Sequence, residues 1–153
     1  MDKKALYESV LLQASGLIEP GLKPVSLFAN IAALLKQNIP YLSWCGFYLK
    51  NEDRSLYLGP FQGLVATTHI PFEKGVCGKA AREEKTVIIE DVHAFPGHIA
   101  CDAGSQSEIV VPLLHHGILL GVLDLDSYDH AAFDTVDQHY LERLMQQVVE
   151  SLS

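Results

Sequence analysis

The chain has 153 residues, 48% of them hydrophobic, and a formal net charge of −8. That length can bury a core of ordinary size and reads as one domain over residues 1–153. The acidic balance argues against nucleic acid and anionic membrane as partners, and no apolar run approaches the ~20 residues of a membrane span.

Met1-Asp2-Lys3-Lys4 leads into an amphipathic pattern with no signal-peptide apolar core, so the expected location is cytoplasmic. Residues 2–17 read as a helix, with Ala5, Leu6, Val10, Leu11 and Leu12 as its apolar positions and Glu19-Pro20-Gly21 as its stop. A second helix runs over 24–37: Pro24 suits a first turn, and Leu27, Ile31, Leu34 and Leu35 make a stripe. Residues 42–50 read as a strand, 51–54 as a polar hairpin turn and 55–58 as the returning strand. Gly59-Pro60 opens a loop, and 65–70 is a further strand. A short helix over 75–84 opens on a glycine-rich turn, and 86–89 is a short strand. Residues 107–114 and 118–126 form a hairpin across His115-His116-Gly117. Asp134 caps a last helix reaching about Leu152, with Asp137 placed as in a capping box and Val136, Tyr140, Leu144 and Val148 facing inward. Hairpins dominate this order, which predicts an α+β fold, an antiparallel sheet with helices packed on its faces.

Between the strands at 86–89 and 107–114 lies Glu-Asp-Val-His-Ala-Phe-Pro-Gly-His-Ile-Ala-Cys-Asp (90–102). Long loops inside compact domains are functional or disordered. Val92, Phe95, Ile99 and Ala100 can anchor this one, and Pro96-Gly97 fixes a turn. The loop is therefore expected to hold Cys101 in a defined place, as a redox nucleophile. His93, His98, Cys101 and Asp102 also contain plausible zinc ligands, but their spacing is irregular and lacks a Cys-x-x-Cys pair; the expectation is no metal and no cofactor. No Gly-x-Ser-x-Gly elbow supports a serine hydrolase.

Strand alternation sorts the remaining candidates. Trp44, Gly46 and Tyr48 share one side of their strand, where the two aromatics either wall a pocket or pack in the core. Cys45, on the other side with Phe47 and Leu49, reads as a buried small hydrophobe. Asp124 and Asp126 share a side, and Glu108 opens the partner strand. Three gathered acids raise at least one pKa or await a cation; alternatively they end their strands facing water. Cys77, in Gly-Val-Cys-Gly-Lys (75–79), sits at a helix start where the N-terminus and Lys79 favour a thiolate, or else packs beneath the glycines. Three cysteines are an odd count for a reducing compartment and argue against a permanent disulfide framework.

With those residues in view, the chain resembles the GAF-domain free methionine-(R)-sulfoxide reductases over nearly its whole length. The resemblance rests on Trp-Cys-Gly-Phe-Tyr (44–48), Leu-Gly-Pro-Phe-Gln-Gly (58–63), Ile-Pro-Phe-Glu-Lys-Gly-Val-Cys-Gly (70–78), the loop at 90–102, Ser-Glu-Ile-Val-Val-Pro-Leu (107–113) and Gly-Val-Leu-Asp-Leu-Asp-Ser (121–127). It implies a six-stranded antiparallel sheet between helices and reduction of the R epimer of free methionine sulfoxide. It further implies Cys101 as catalytic cysteine, Trp44 and Tyr48 as pocket aromatics, and Glu108, Asp124 and Asp126 as acids that bind substrate and assist the chemistry. Cys77 matches the family's middle cysteine. The family's first cysteine, often the resolving one, is replaced here by Thr67, which leaves Cys77 as the resolving candidate. Thioredoxin is the implied reductant, and relatives commonly pair as homodimers. The competing reading is a non-catalytic GAF module that senses a small ligand.

Overall fold

The computed structural model describes residues 2–97 and 104–152. Helix α1 (Lys3–Leu17) begins where the Asp2 carboxylate accepts from the Ala5 N–H at 3.2 Å. Helix α2 (Pro24–Asn38) starts on Pro24, whose missing N–H would have had no partner there. Strands β1 (Trp44–Lys50), β2 (Ser55–Gln62) and β3 (His69–Pro71) precede α3 (Gly75–Glu83). Then come β4 (Val87–Ile89), β5 (Ser107–His115), β6 (Ile118–Ser127) and α4 (Thr135–Glu150). The six strands form one sheet in the order β3-β2-β1-β6-β5-β4, and every neighbouring pair is antiparallel. The β5–β6 hairpin turns on His116 and Gly117, both left-handed at φ 53° and 76°, as a two-residue loop between right-twisted strands requires. Among the described residues no helix is long and apolar enough to cross a membrane.

The period-2 alternation splits the sheet into two buried faces. Cys45, Phe47, Ile109, Val111, Leu123 and Leu125 point to one, where α1, α2 and α4 cover them. Trp44, Tyr48, Val110 and Val122 point to the other, beneath α3. Each aliphatic or phenyl side chain so buried stabilises the fold by about 1.5–3 kcal/mol. Burial on both faces fixes the register, because a one-residue slip would exchange the two sets.

Several boundaries differ from expectation. Gly59 and Pro60 lie inside β2, not in a loop. The register steps from Tyr48↔Leu58 to Gly46↔Phe61, so β2 carries one residue more than β1 across that interval. Such a bulge tolerates a proline that cannot donate. The strand expected over 65–70 is confined to His69–Pro71. Upstream of it the Leu58 N–H donates to the Thr68 carbonyl at 3.1 Å, and side chains hold the rest: the Trp44 indole N–H donates to the Leu64 carbonyl at 3.0 Å, and the Tyr48 hydroxyl to the Thr67 carbonyl at 2.9 Å. In α1, Ala5 and Leu12 face solvent, and the buried positions are Tyr7, Val10 and Ala14.

The reason lies in α4. Asp134 and Asp137 form the expected capping box. Asp137 does more than cap: it is fully buried and accepts from the Tyr7 hydroxyl at 2.6 Å, the Tyr41 hydroxyl at 2.6 Å and the Lys3 ammonium at 2.5 Å. Those bonds turn the Tyr7 side of α1 inward.

Candidate functional site

The α3-covered face carries the acids. Asp126 on β6 stands opposite both Glu108 on β5 and Trp44 on β1, while Asp124 stands opposite Val110 and Gly46. Glu108, Asp124 and Asp126 are 1%, 0% and 1% exposed, so they do not end their strands in water. Glu108 is hydrogen-bonded to both aspartates, and its carboxyl is pushed well above the ordinary carboxylate range. Burial is the main cause and the Asp126 charge the next; the hydrogen bond with Asp126 adds to the rise, and that with Asp124 opposes it. A carboxyl so placed can hold a proton where an exposed one could not.

Helix α3 brings Cys77 down onto this cluster. It packs against the end of β3 closely enough that a Cβ on Gly78 would lie 2.7 Å from the Pro71 carbonyl oxygen, and Arg82 donates to the Phe72 carbonyl. Cys77 is buried, and its sulfur lies within 4.8 Å of carboxylate oxygens of Glu108 and Asp124. Lys79 carries its ammonium over the Phe95 ring at 5.9 Å. One sulfur and two carboxylates at this spacing are also the group among the described residues that could ligate a divalent cation. Of the loop ligands considered from sequence, His93 is exposed, and His98, Cys101 and Asp102 lie outside the described residues.

Trp44 and Tyr48 are both fully buried on the same face, their rings stacked at 6.0 Å between centroids. The indole also stacks on Phe61 at 5.3 Å and 16°. Two glycines make room for it: a Cβ on Gly46 would sit 2.5 Å from the indole Cη2, and one on Gly63 would sit 2.5 Å from its Cδ1. Gly63 is left-handed as well, at φ 135°. Residue reasoning missed Phe61. The signal for this aromatic stack was present in Trp-Cys-Gly-Phe-Tyr, where a glycine separates two aromatics on one face, but Phe61 arrives only through the bulge in β2.

Cys45 lies across the sheet in the apolar cluster under α2. Its thiol is pushed well above the ordinary range by burial first, then by the charges of Asp124 and Asp126. Cys101 lies outside the described residues, but the stems of its loop are described. Asp91 caps a 3₁₀ turn at Val92–Ala94, the Val92 N–H donates to the Gln106 carbonyl at 2.9 Å, and Phe95 packs against the α3 cluster. Ile89, last of β4, is the register partner of Glu108. The loop thus leaves the sheet opposite Glu108 and returns one residue before it.

A six-stranded antiparallel sheet in this order between helices is the fold of a GAF domain, and the GAF domain family model matches residues 25–153. The chain is 41% identical to the free methionine-R-sulfoxide reductase of Escherichia coli, across 100% of this chain and 92% of that one. It is equally identical, 41%, to the Saccharomyces cerevisiae protein of the same name, across 99% and 88%. A solved structure of free methionine-R-sulfoxide reductase from Neisseria meningitidis in complex with its substrate superposes with a TM-score of 0.94 at 45% identity, covering 99% of this chain and 90% of that one. The chain belongs to the GAF-domain free methionine-R-sulfoxide reductases.

Proposed function

We propose that this chain reduces free L-methionine-(R)-sulfoxide to methionine, with Cys101 as nucleophile and Glu108 as acid. The observation that carries the reading is the route of the loop: the segment bearing Cys101 is tied at both stems to the strand end where Glu108, Asp126 and Trp44 stand side by side. The relatives named above act on this substrate, one of them seen with it bound.

The Cys101 thiolate attacks the sulfoxide sulfur. The oxygen passes to Cys101 with one proton, which Glu108 supplies, giving methionine, a sulfenic acid on Cys101 and an ionised Glu108. A carboxyl raised above the ordinary range has that proton to give near neutral pH. Asp124 and Asp126 meet the substrate ammonium, which a peptide-bonded methionine lacks; free substrate is selected because only it neutralises buried acids. Trp44 and Tyr48 wall the methyl side. Cys77 then condenses with the sulfenic acid to a disulfide, releasing water, and thioredoxin reduces the disulfide by exchange in the cytoplasm.

The test is turnover of separated R and S epimers of free methionine sulfoxide with thioredoxin, for the native chain and Cys101→Ser. Turnover of the R epimer alone, lost in Cys101→Ser, is expected. Full activity in the variant sinks the nucleophile; binding without turnover in the native chain returns it to the ligand-sensing reading.

A further inference from the structure

The Trp44 indole is gripped differently at its two ends. Backbone holds the pyrrole end: its N–H donates to the Leu64 carbonyl at 3.0 Å, and a Cβ on Gly63 would meet its Cδ1 at 2.5 Å. The benzo end lies over Gly46, where a Cβ would sit 2.5 Å from Cη2 and 2.8 Å from Cζ3. A glycine leaves room for a ring but offers no side chain to hold it. Phe61 supplies one from the next strand. It is the register partner of Gly46, and a Cβ on that glycine would lie 2.4 Å from the Phe61 Cβ. The half-buried phenyl thus stands beside the glycine and stacks on the indole at 5.3 Å between centroids and 16°.

A hydrogen bond at one atom leaves a planar ring able to tilt about that atom. A second ring lying nearly parallel opposes the tilt, because tilting gives up the stacked contact. Tyr48 also stacks on the indole, but it shares the proposed wall and is tied through its hydroxyl to the Thr67 carbonyl. Phe61 acts on the wall through the indole. The geometry points to Phe61 as a specificity-determining positioning residue, which fixes the indole plane and thereby limits the group carried on the substrate sulfur to a methyl. This rests on the proposed placement of Trp44 on the methyl side and extends it. With Phe61 shortened, the indole tilts back and the space for the methyl admits one more carbon. Excluding a single methylene from a close-fitting apolar pocket is worth about 10–200-fold in kcat/KM, so the effect is large enough to read.

The experiment compares kcat/KM for the R epimers of free methionine sulfoxide and free ethionine sulfoxide, which carries ethyl in place of methyl. The native chain should favour the methyl substrate by about tenfold or more. Phe61→Leu should lower that ratio at least threefold, and Phe61→Tyr, which keeps the ring, should hold it within threefold. Trp44 is the only tryptophan, so the anisotropy of its emission should fall in Phe61→Leu and not in Phe61→Tyr. A loss of stability alone would lower both substrates together and leave the ratio where it was. Phe61→Met serves the same test should Phe61→Leu not fold. A smaller fall in Phe61→Leu, an equal fall in Phe61→Tyr, or an unchanged anisotropy overturns the inference. Trp44→Leu tests the underlying reading separately. If the native chain does not discriminate, or Trp44→Leu keeps the native ratio, the placement of Trp44 on the methyl side fails and this inference with it. If Trp44→Leu lowers the ratio and Phe61→Leu does not, only the role of Phe61 is lost.

Discussion

Replacing Glu108 with glutamine should stabilise the protein, by an amount that grows with pH. Glu108 is 1% exposed between two aspartates, and its carboxyl is raised well above the ordinary range. Folding must therefore take up a proton at any pH between the unfolded value, about 4.3, and the folded one. The sign follows: this carboxyl leaves stability intact below the unfolded value, and stability is lost as pH rises towards the folded value. The loss is about 1.4 kcal/mol per pH unit, because one pKa unit corresponds to that energy. At pH 7, roughly 2.7 units above 4.3, it cannot exceed about 4 kcal/mol. Glutamine keeps the shape and carries no such penalty. Urea unfolding of both variants at pH 5, 6 and 7 should show the difference in free energy widening by up to about 1.4 kcal/mol per unit, with reductase activity lost throughout. A difference that stays flat from pH 5 to 7 would refute the reasoning, since Glu108 would then take up no proton on folding.

Cys45, buried across the sheet from the acids, should resist iodoacetamide in the folded protein, and Cys45→Ala should keep full turnover; peptide mapping after labelling checks the first and the coupled assay the second. Gly46→Ala should displace the indole, because the new Cβ would lie 2.4 Å from the Phe61 Cβ and 2.5 Å from the Trp44 Cη2. Trp44 is the only tryptophan in the chain, so its emission reports that displacement directly, alongside a higher KM. Asp137→Ala removes the acceptor shared by Lys3, Tyr7 and Tyr41, and by analogy with broken buried ion pairs should cost about 3–5 kcal/mol, read as a fall in Tm at unchanged KM.

Much of the fold was legible because strand and helix periods are local. The alternation in Trp-Cys-Gly-Phe-Tyr separated Cys45 from Trp44 and Tyr48, and the faces observed are those two. The same rule put Asp124 and Asp126 together. It could not tell burial from exposure, because that depends on α3 arriving from a distant part of the chain to cover them. Pro60 looked like a strand stop because a proline cannot donate; the bulge that accommodates it is a property of the β1–β2 pair, not of either strand. Residues 65–68 read as a strand, but the carbonyls of Leu64 and Thr67 are taken by the side chains of Trp44 and Tyr48, some 20 residues earlier, which no local pattern shows. The inward turn of α1 was hidden for a like reason: Tyr7 finds its acceptor 130 residues away.

That last separation bears on how the chain is made. The polar knot at Asp137 joins positions 3, 7 and 41 to the beginning of the final helix. During synthesis, α1 and the turn before β1 emerge long before the carboxylate that locks them exists. Until α4 is made, α1 has its packing against α2 but not the polar anchor at Asp137, so that part of the closing of this domain is a late event by construction.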